Sequence, residues 1–123
     1  MSIQSFKDLI TWQRAHKLVL SIYRCTKFFP AEERYSLVDQ MRRCSISVSS
    51  NIAEGFSRKS YKEKVQFYYM ALGSTTELEN QILVSKDVGY VNETSYRELI
   101  QQILEVHKLI NGLIKASKIY IKA

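Results

Sequence analysis

Proline is nearly missing from this chain: Pro30 is the only one in 123 residues, and only four glycines accompany it. A polypeptide so poor in structure-breaking residues is not loop-rich, and a hydrophobic content of 46% excludes a disordered one. Two cysteines, Cys25 and Cys44, lack metal-ligand and redox spacing and cannot make a disulfide framework. Both are expected to serve as small core hydrophobes. No apolar run is long enough to cross a bilayer, and the opening MSIQSFKDLI has no signal-peptide pattern. A cytoplasmic protein without membrane contact is therefore expected.

Acidic residues are scarce in particular places. None falls between Asp8 and Glu32, where Arg14, Lys17, Arg24 and Lys27 stand, and none follows Glu105, where Lys108, Lys115, Lys118 and Lys122 do. A further basic group, Arg58, Lys59, Lys62 and Lys64, surrounds Tyr61. The net charge is +6 and the isoelectric point is near 9.4. Phosphate binding requires clustered positive charge, and a neighbouring aromatic can stack on an unpaired base. For any single lysine, a solvated helix face is the better explanation.

What is present is helical periodicity. Trp12, Ala15, Val19, Ile22, Thr26 and Phe29 recur at steps of three and four, predicting a first helix from about Asp8 or Thr11 to Phe28, stopped by Pro30. A second should begin near Glu33 to Ser36 and end close to Gly55, with Leu37, Met41, Cys44, Val48 and Ile52 as its inner stripe. The run Cys44 to Ser49 also alternates apolar and polar as a strand would, but a lone short strand has no partner here. A third helix is predicted from the capping box Ser60-x-x-Glu63 to Gly89, with Gly73 in its middle as a sign of close backbone approach. The fourth starts between Asn92 and Ser95, where Ser95-x-x-Glu98 reads as a second box. It carries Leu99, Ile103, Val106, Ile110 and Leu113. Short connections among four amphipathic helices imply an all-α, up-down-up-down antiparallel bundle, one domain over residues 1–123.

The densest signal is QMRRCSISVSSNIAEGFSR, Gln40 to Arg58, where polar residues crowd the helical face. Asn51, Glu54 and Arg58 share one side of the second helix, and Gly73, Ser74 and Glu77 one side of the third. Glu54 and Glu77 could form a ligand or catalytic pair. A polar cluster of Asn51, Glu54, Gly73, Ser74 and Glu77 that fixes helix register or joins subunits is the preferred reading, because no nucleophile or histidine stands at matching spacing. A di-metal site would want Glu-x-x-His, which neither His16 nor His107 provides. No catalytic residue, metal or cofactor is therefore expected.

Phe6 to Leu9, Trp12, Gln13, Ala15, Phe29-Pro30, Glu33, Gln40, Arg42-Arg43, SVSSNIAEG and Arg58, with Ala71 to Ser74 and Glu77 to Glu79, form a pattern. It resembles the four-helix-bundle proteins encoded in 23S rRNA intervening sequences, relatives of the accessory variability determinant of diversity-generating retroelements. The resemblance implies a ring-like homopentamer with a basic surface and no assigned activity. In the retroelement relatives it also implies binding of nucleic acid and a reverse transcriptase. Ser49 stands where that family commonly has proline, so the second helix should be straighter. Two functions follow as expectations. One is a non-enzymatic oligomer that binds structured RNA or an RNA–DNA hybrid. The other is a scaffold that docks a partner enzyme such as a reverse transcriptase.

Overall fold

The computed structural model describes residues 2–121. Four helices dominate: α1 (Ile10–Thr26), α2 (Asp39–Ser57), α3 (Tyr61–Asp87) and α4 (Glu93–Lys118), with no strand among the described residues. The order of cross-helix contacts gives their direction. Along α2, Met41, Cys44, Ser47 and Gly55 meet Ser85, Glu77, Ser74 and Tyr68 of α3, so one helix ascends as the other descends. Lys86–Glu93, Thr75–His107 and Tyr69–Lys118 do the same for α3 and α4. Each helix packs on two neighbours, with α4 closing against α1. The bundle expected from the periodicity is the one observed.

Local chemistry sets the boundaries. Ser5 caps a single turn, Phe6–Asp8, before α1, and the Asp8 carboxylate returns to the Ser5 N–H at 3.1 Å. After Thr26 the chain turns at Pro30. It enters α2 through a tight turn, Ala31–Glu33, and a wider π-type turn, Arg34–Val38. Ser60 accepts the Glu63 N–H at 3.2 Å, as the predicted cap requires, and Gly89 at φ 93° ends α3. α4 starts within the expected span, but its cap is not the expected box. Asn92 accepts the Ser95 N–H at 2.8 Å, and Ser95 lies inside the helix, so the second box is not the cap.

The core is contributed by all four helices. Leu18, Ile22, Met41, Val48, Ile52, Leu78, Ile82, Ile103, Val106 and Ile110 are completely buried. Each such aliphatic side chain gains about 1.5–3 kcal/mol on leaving water. Three expected core positions shift by a fraction of a turn: Trp12 is half-buried, Val38 is buried where Leu37 was expected, and Ile114 where Leu113 was expected. The strand-like run Cys44–Ser49 is helical, and two of its three serines bond carbonyls of the helix itself. Ser45 Oγ donates to the Arg42 carbonyl (2.9 Å) and Ser49 Oγ to that of Ile46 (3.1 Å). With serine at position 49, α2 runs without interruption.

The two glycines of interest exchange roles. Gly73 is exposed, and a Cβ there would meet nothing within 4 Å, so no backbone approaches it within this chain. Gly55 is the close approach: a Cβ there would lie 2.6 Å from Tyr68 Cε1 and 3.1 Å from Phe67 Cβ.

Candidate nucleic-acid interface

In an antiparallel bundle, the C-terminus of α2, the N-terminus of α3 and the C-terminus of α4 share one end. The group Arg58, Lys59, Lys62 and Lys64 therefore meets the lysines of α4. Its members are not equivalent. Lys64 Nζ donates to the carbonyls of Phe56 (2.5 Å) and Gly55 (3.4 Å), closing the last turn of α2, and partial burial holds its amine below the usual lysine range. The Arg58 guanidinium lies 4.5 Å over the Phe67 ring and 3.7 Å from Glu54, and its Nε is buried without a partner. Lys59 and Lys62 are exposed. Between them and α4, Tyr61 stacks on Tyr120 with ring centroids 4.7 Å apart. Lys118 Nζ reaches the Tyr69 hydroxyl at 2.6 Å, and Lys115 is exposed one turn earlier. Two stretches of positive charge, distant in sequence, thus share the end of the bundle that carries this aromatic stack.

The α1 group is dispersed. Arg14 pairs with Glu105 at 3.6 Å, and Arg14 and Lys17 border a depression that Glu98 and Glu105 also line. Arg24 donates to Ser21 Oγ (3.2 Å), whose hydroxyl donates to Gln102 (3.0 Å). The stretch without acids is therefore faced by the acids of α4. Lys27 belongs to the opposite end of the bundle, beside Arg34 and Arg42.

The polar cluster resolves into two parts. Asn51 Nδ2 donates to the Ser47 carbonyl (2.8 Å) and hydroxyl (3.2 Å), and Ser47 and Ser74 hydroxyls meet at 2.9 Å across the helix pair. One turn along, Cys44 Sγ donates to the Ser74 carbonyl at 3.2 Å and lies 3.6 Å from Glu77. Burial, and then the Glu77 charge, push the Cys44 thiol up to about 12. Ser47, the bridge, was not singled out in the sequence, because one serine among many gives no sign of facing α3. Glu54 is elsewhere: it accepts from Ser57 and pairs with Arg58 on its own helix, exposed to solvent. The ten steps along α2 from Cys44 to Glu54 span roughly 15 Å, so Glu54 and Glu77 form no carboxylate pair. Gly73 is outside the cluster.

His16 is exposed and stacks on Trp12 at 4.7 Å, and His107 Nδ1 lies 3.1 Å from Thr75 Oγ1. Among the described residues no three His, Cys, Asp or Glu side chains are gathered as a metal would need, and no helix is long and apolar enough to cross a membrane.

Residues 7–112 match the model of the 23S rRNA-intervening sequence protein family. Among solved structures, a protein of unknown function from the S23 ribosomal protein family of Bacteroides thetaiotaomicron has the same fold. It superimposes with a TM-score of 0.80 at 20% identity, over 86% of this chain and 99% of that one. No curated protein matches the sequence.

Proposed function

We propose that this chain, which belongs to the 23S rRNA-intervening sequence protein family, works as a non-enzymatic, oligomeric accessory protein that binds nucleic acid. The observation that carries the reading is that exposed Lys59 and Lys62, next in sequence to Tyr61, share one end of the bundle with Lys115 and Lys118 of α4, where Tyr61 stacks on Tyr120. Exposed ammonium groups neutralise backbone phosphates, and an exposed tyrosine face accepts an unpaired base. Base edges are not read by such an array, so little sequence preference is expected. Structured RNA and an RNA–DNA hybrid are the ligands that suit it. The separation of Glu54 from Glu77 and the protonated state of Cys44 supply no acid–base pair or nucleophile, which favours binding over catalysis.

Oligomerisation strengthens the reading, since a repeated basic end binds a long polyanion with avidity. The outer side of α3 exposes Met70, Leu83, Val84 and Val88, more apolar surface than a solvent-facing helix needs. A second reading draws on the same surface: the oligomer docks a partner enzyme such as a reverse transcriptase, and the charge only steers it.

Salt dependence separates the two. Binding of structured RNA by intact oligomer should weaken steeply with salt. Replacing Lys59, Lys62 and Lys115 with alanine should reduce the log–log slope by about one for each phosphate left without its lysine, with the melting temperature unchanged. Failure to retard RNA or hybrid at about 50 mM salt, where phosphate contacts are strong, would transfer the case to the scaffold reading.

A further inference from the structure

A cavity of about 350 Å³ lies where α1 meets the entry to α2, lined by Thr26, Lys27, Pro30, Arg34, Val38 and Arg42 among others. Three cations border it and no carboxylate does. Arg42 is fixed in place: its Nε donates to Thr26 Oγ1 at 2.9 Å, its Nη2 to the Tyr23 carbonyl at 3.4 Å, and it lies 4.5 Å over the Tyr23 ring. The Thr26 hydroxyl donates its own proton to the Ile22 carbonyl (2.7 Å), so its oxygen is set to accept from Arg42. Among the described residues, the Nη1 edge of the guanidinium has no acceptor.

Of the nearby acids, two are tied elsewhere, and Glu32, next to Ala31, is exposed to solvent. Glu33 accepts from Ser36 Oγ (2.6 Å) and the Tyr90 hydroxyl (2.7 Å), and Asp39 faces Arg43 at 3.8 Å. Among the described residues, Lys27, Arg34 and Arg42 make no ion pair with a carboxylate. The C-terminal carbonyls of α1 account for Arg42 and favour Lys27. They do not account for Arg34, which comes from the α2 entry. Lys27 and Arg34 are exposed and Arg42 is half-buried, and a multivalent anion among them offsets the repulsion between like charges lining one cavity. A carboxylate would neutralise only one of the three cations. A phosphate offers more charge and several oxygens to a guanidinium fork.

We propose that this cavity is a phosphate-binding site, in which the fixed edge of Arg42, with Arg34 and Lys27, holds a single phosphate group. The site does not rest on the nucleic-acid reading, because it lies at the opposite end of the bundle from the Tyr61–Tyr120 stack. Its phosphate can come from a nucleic-acid terminus or from a small phosphate monoester.

The test is titration of the full chain with inorganic phosphate, against chloride at matched ionic strength, followed by calorimetry and by proton–nitrogen NMR of residues 27–42. Saturable phosphate binding is expected, with shifts confined to that segment and the Arg42 Nε–H. Arg34→Ala should weaken it about tenfold, the worth of one charged hydrogen bond, while melting in chloride stays the same. Arg42→Lys keeps the charge, loses the fork and should also weaken it. An oligonucleotide with a 5′-phosphate, its 5′-hydroxyl counterpart and glycerol phosphate identify the source. Preference for the phosphorylated oligonucleotide assigns a nucleic-acid end, and equal binding by the two phosphates assigns a free phosphate group. Identical shifts in chloride, or phosphate affinity unaffected by Arg34→Ala and Arg42→Lys, would overturn the proposal. Retained phosphate binding with no retardation of RNA would sink only the nucleic-acid reading.

Discussion

Gly55 and Cys44 are the residues whose surroundings constrain them most. At Gly55 two effects compete. Alanine would relieve a helix-interior glycine by about 1 kcal/mol. It would also force its Cβ against Tyr68, which is 2% exposed and has no room to retreat. Overpacking of this kind costs about 1–3 kcal/mol, so Gly55→Ala should lower the melting temperature, and an increase would show that the contact relaxes freely. For Cys44 the consequence is pH dependence. Burial and Glu77 raise its thiol from 9.0 to about 12, and burial with Tyr61 raises Tyr68 from 10.0 to about 12. Groups whose pKa is raised on folding contribute stability that is complete below the unfolded value and lost as pH climbs through the folded one. Stability should therefore fall from about pH 9 towards about pH 12, and Cys44→Ala should flatten part of that decline in melts taken across the range. Lys64, whose amine is held down by burial, acts in the opposite sense, which is why the variant comparison is needed.

At the scale of elements, the α2–α3 pair is where helix register is specified. Ser47, Asn51 and Ser74 form a chain across it, and Cys44 adds a second link to Ser74. Asn51→Ala removes a side chain that bonds both the Ser47 hydroxyl and its carbonyl, and should cost about 1 kcal/mol in denaturant unfolding. Glu54→Ala removes an exposed pair with Arg58 and an exposed bond from Ser57, both within one turn, and should change stability by less than about 0.5 kcal/mol. Equal losses from the two variants would mean that Glu54 has a buried partner in an assembly. The sequence placed both residues on one helical side, and that much is observed. It could not show that Glu54 lies too far along α2 to meet Glu77.

For the whole molecule, the question is what covers α3. Met70, Leu83, Val84 and Val88 are exposed on it, and Gly73 has open space where a helix-interior glycine usually has a reason. If these positions pack against further copies, light scattering should give about five times the chain mass of 14.4 kDa, as the family resemblance implies. Met70→Glu with Val84→Glu should then yield a folded, smaller species. A wild-type monomer at micromolar concentration would remove the ring, and with it the avidity on which the nucleic-acid reading draws.

Periodicity alone determined the four helices, because burying one stripe of an amphipathic helix is a local property repeated every three or four residues. The caps at Ser60 and Gly89 were legible for the same reason: their chemistry acts over a few residues. The positions that matter for function depend on partners distant in the chain. The α1 basic stretch looked free of acids until α4 set Glu98 and Glu105 beside it. Lys64 looked like a phosphate ligand until the end of α2 supplied carbonyls for it. Arg34 and Arg42 drew no notice as charges until the turn at Pro30 brought them to Lys27. Charge is read from composition, but its availability is decided by which opposite charges and carbonyls the tertiary structure places within a few ångströms.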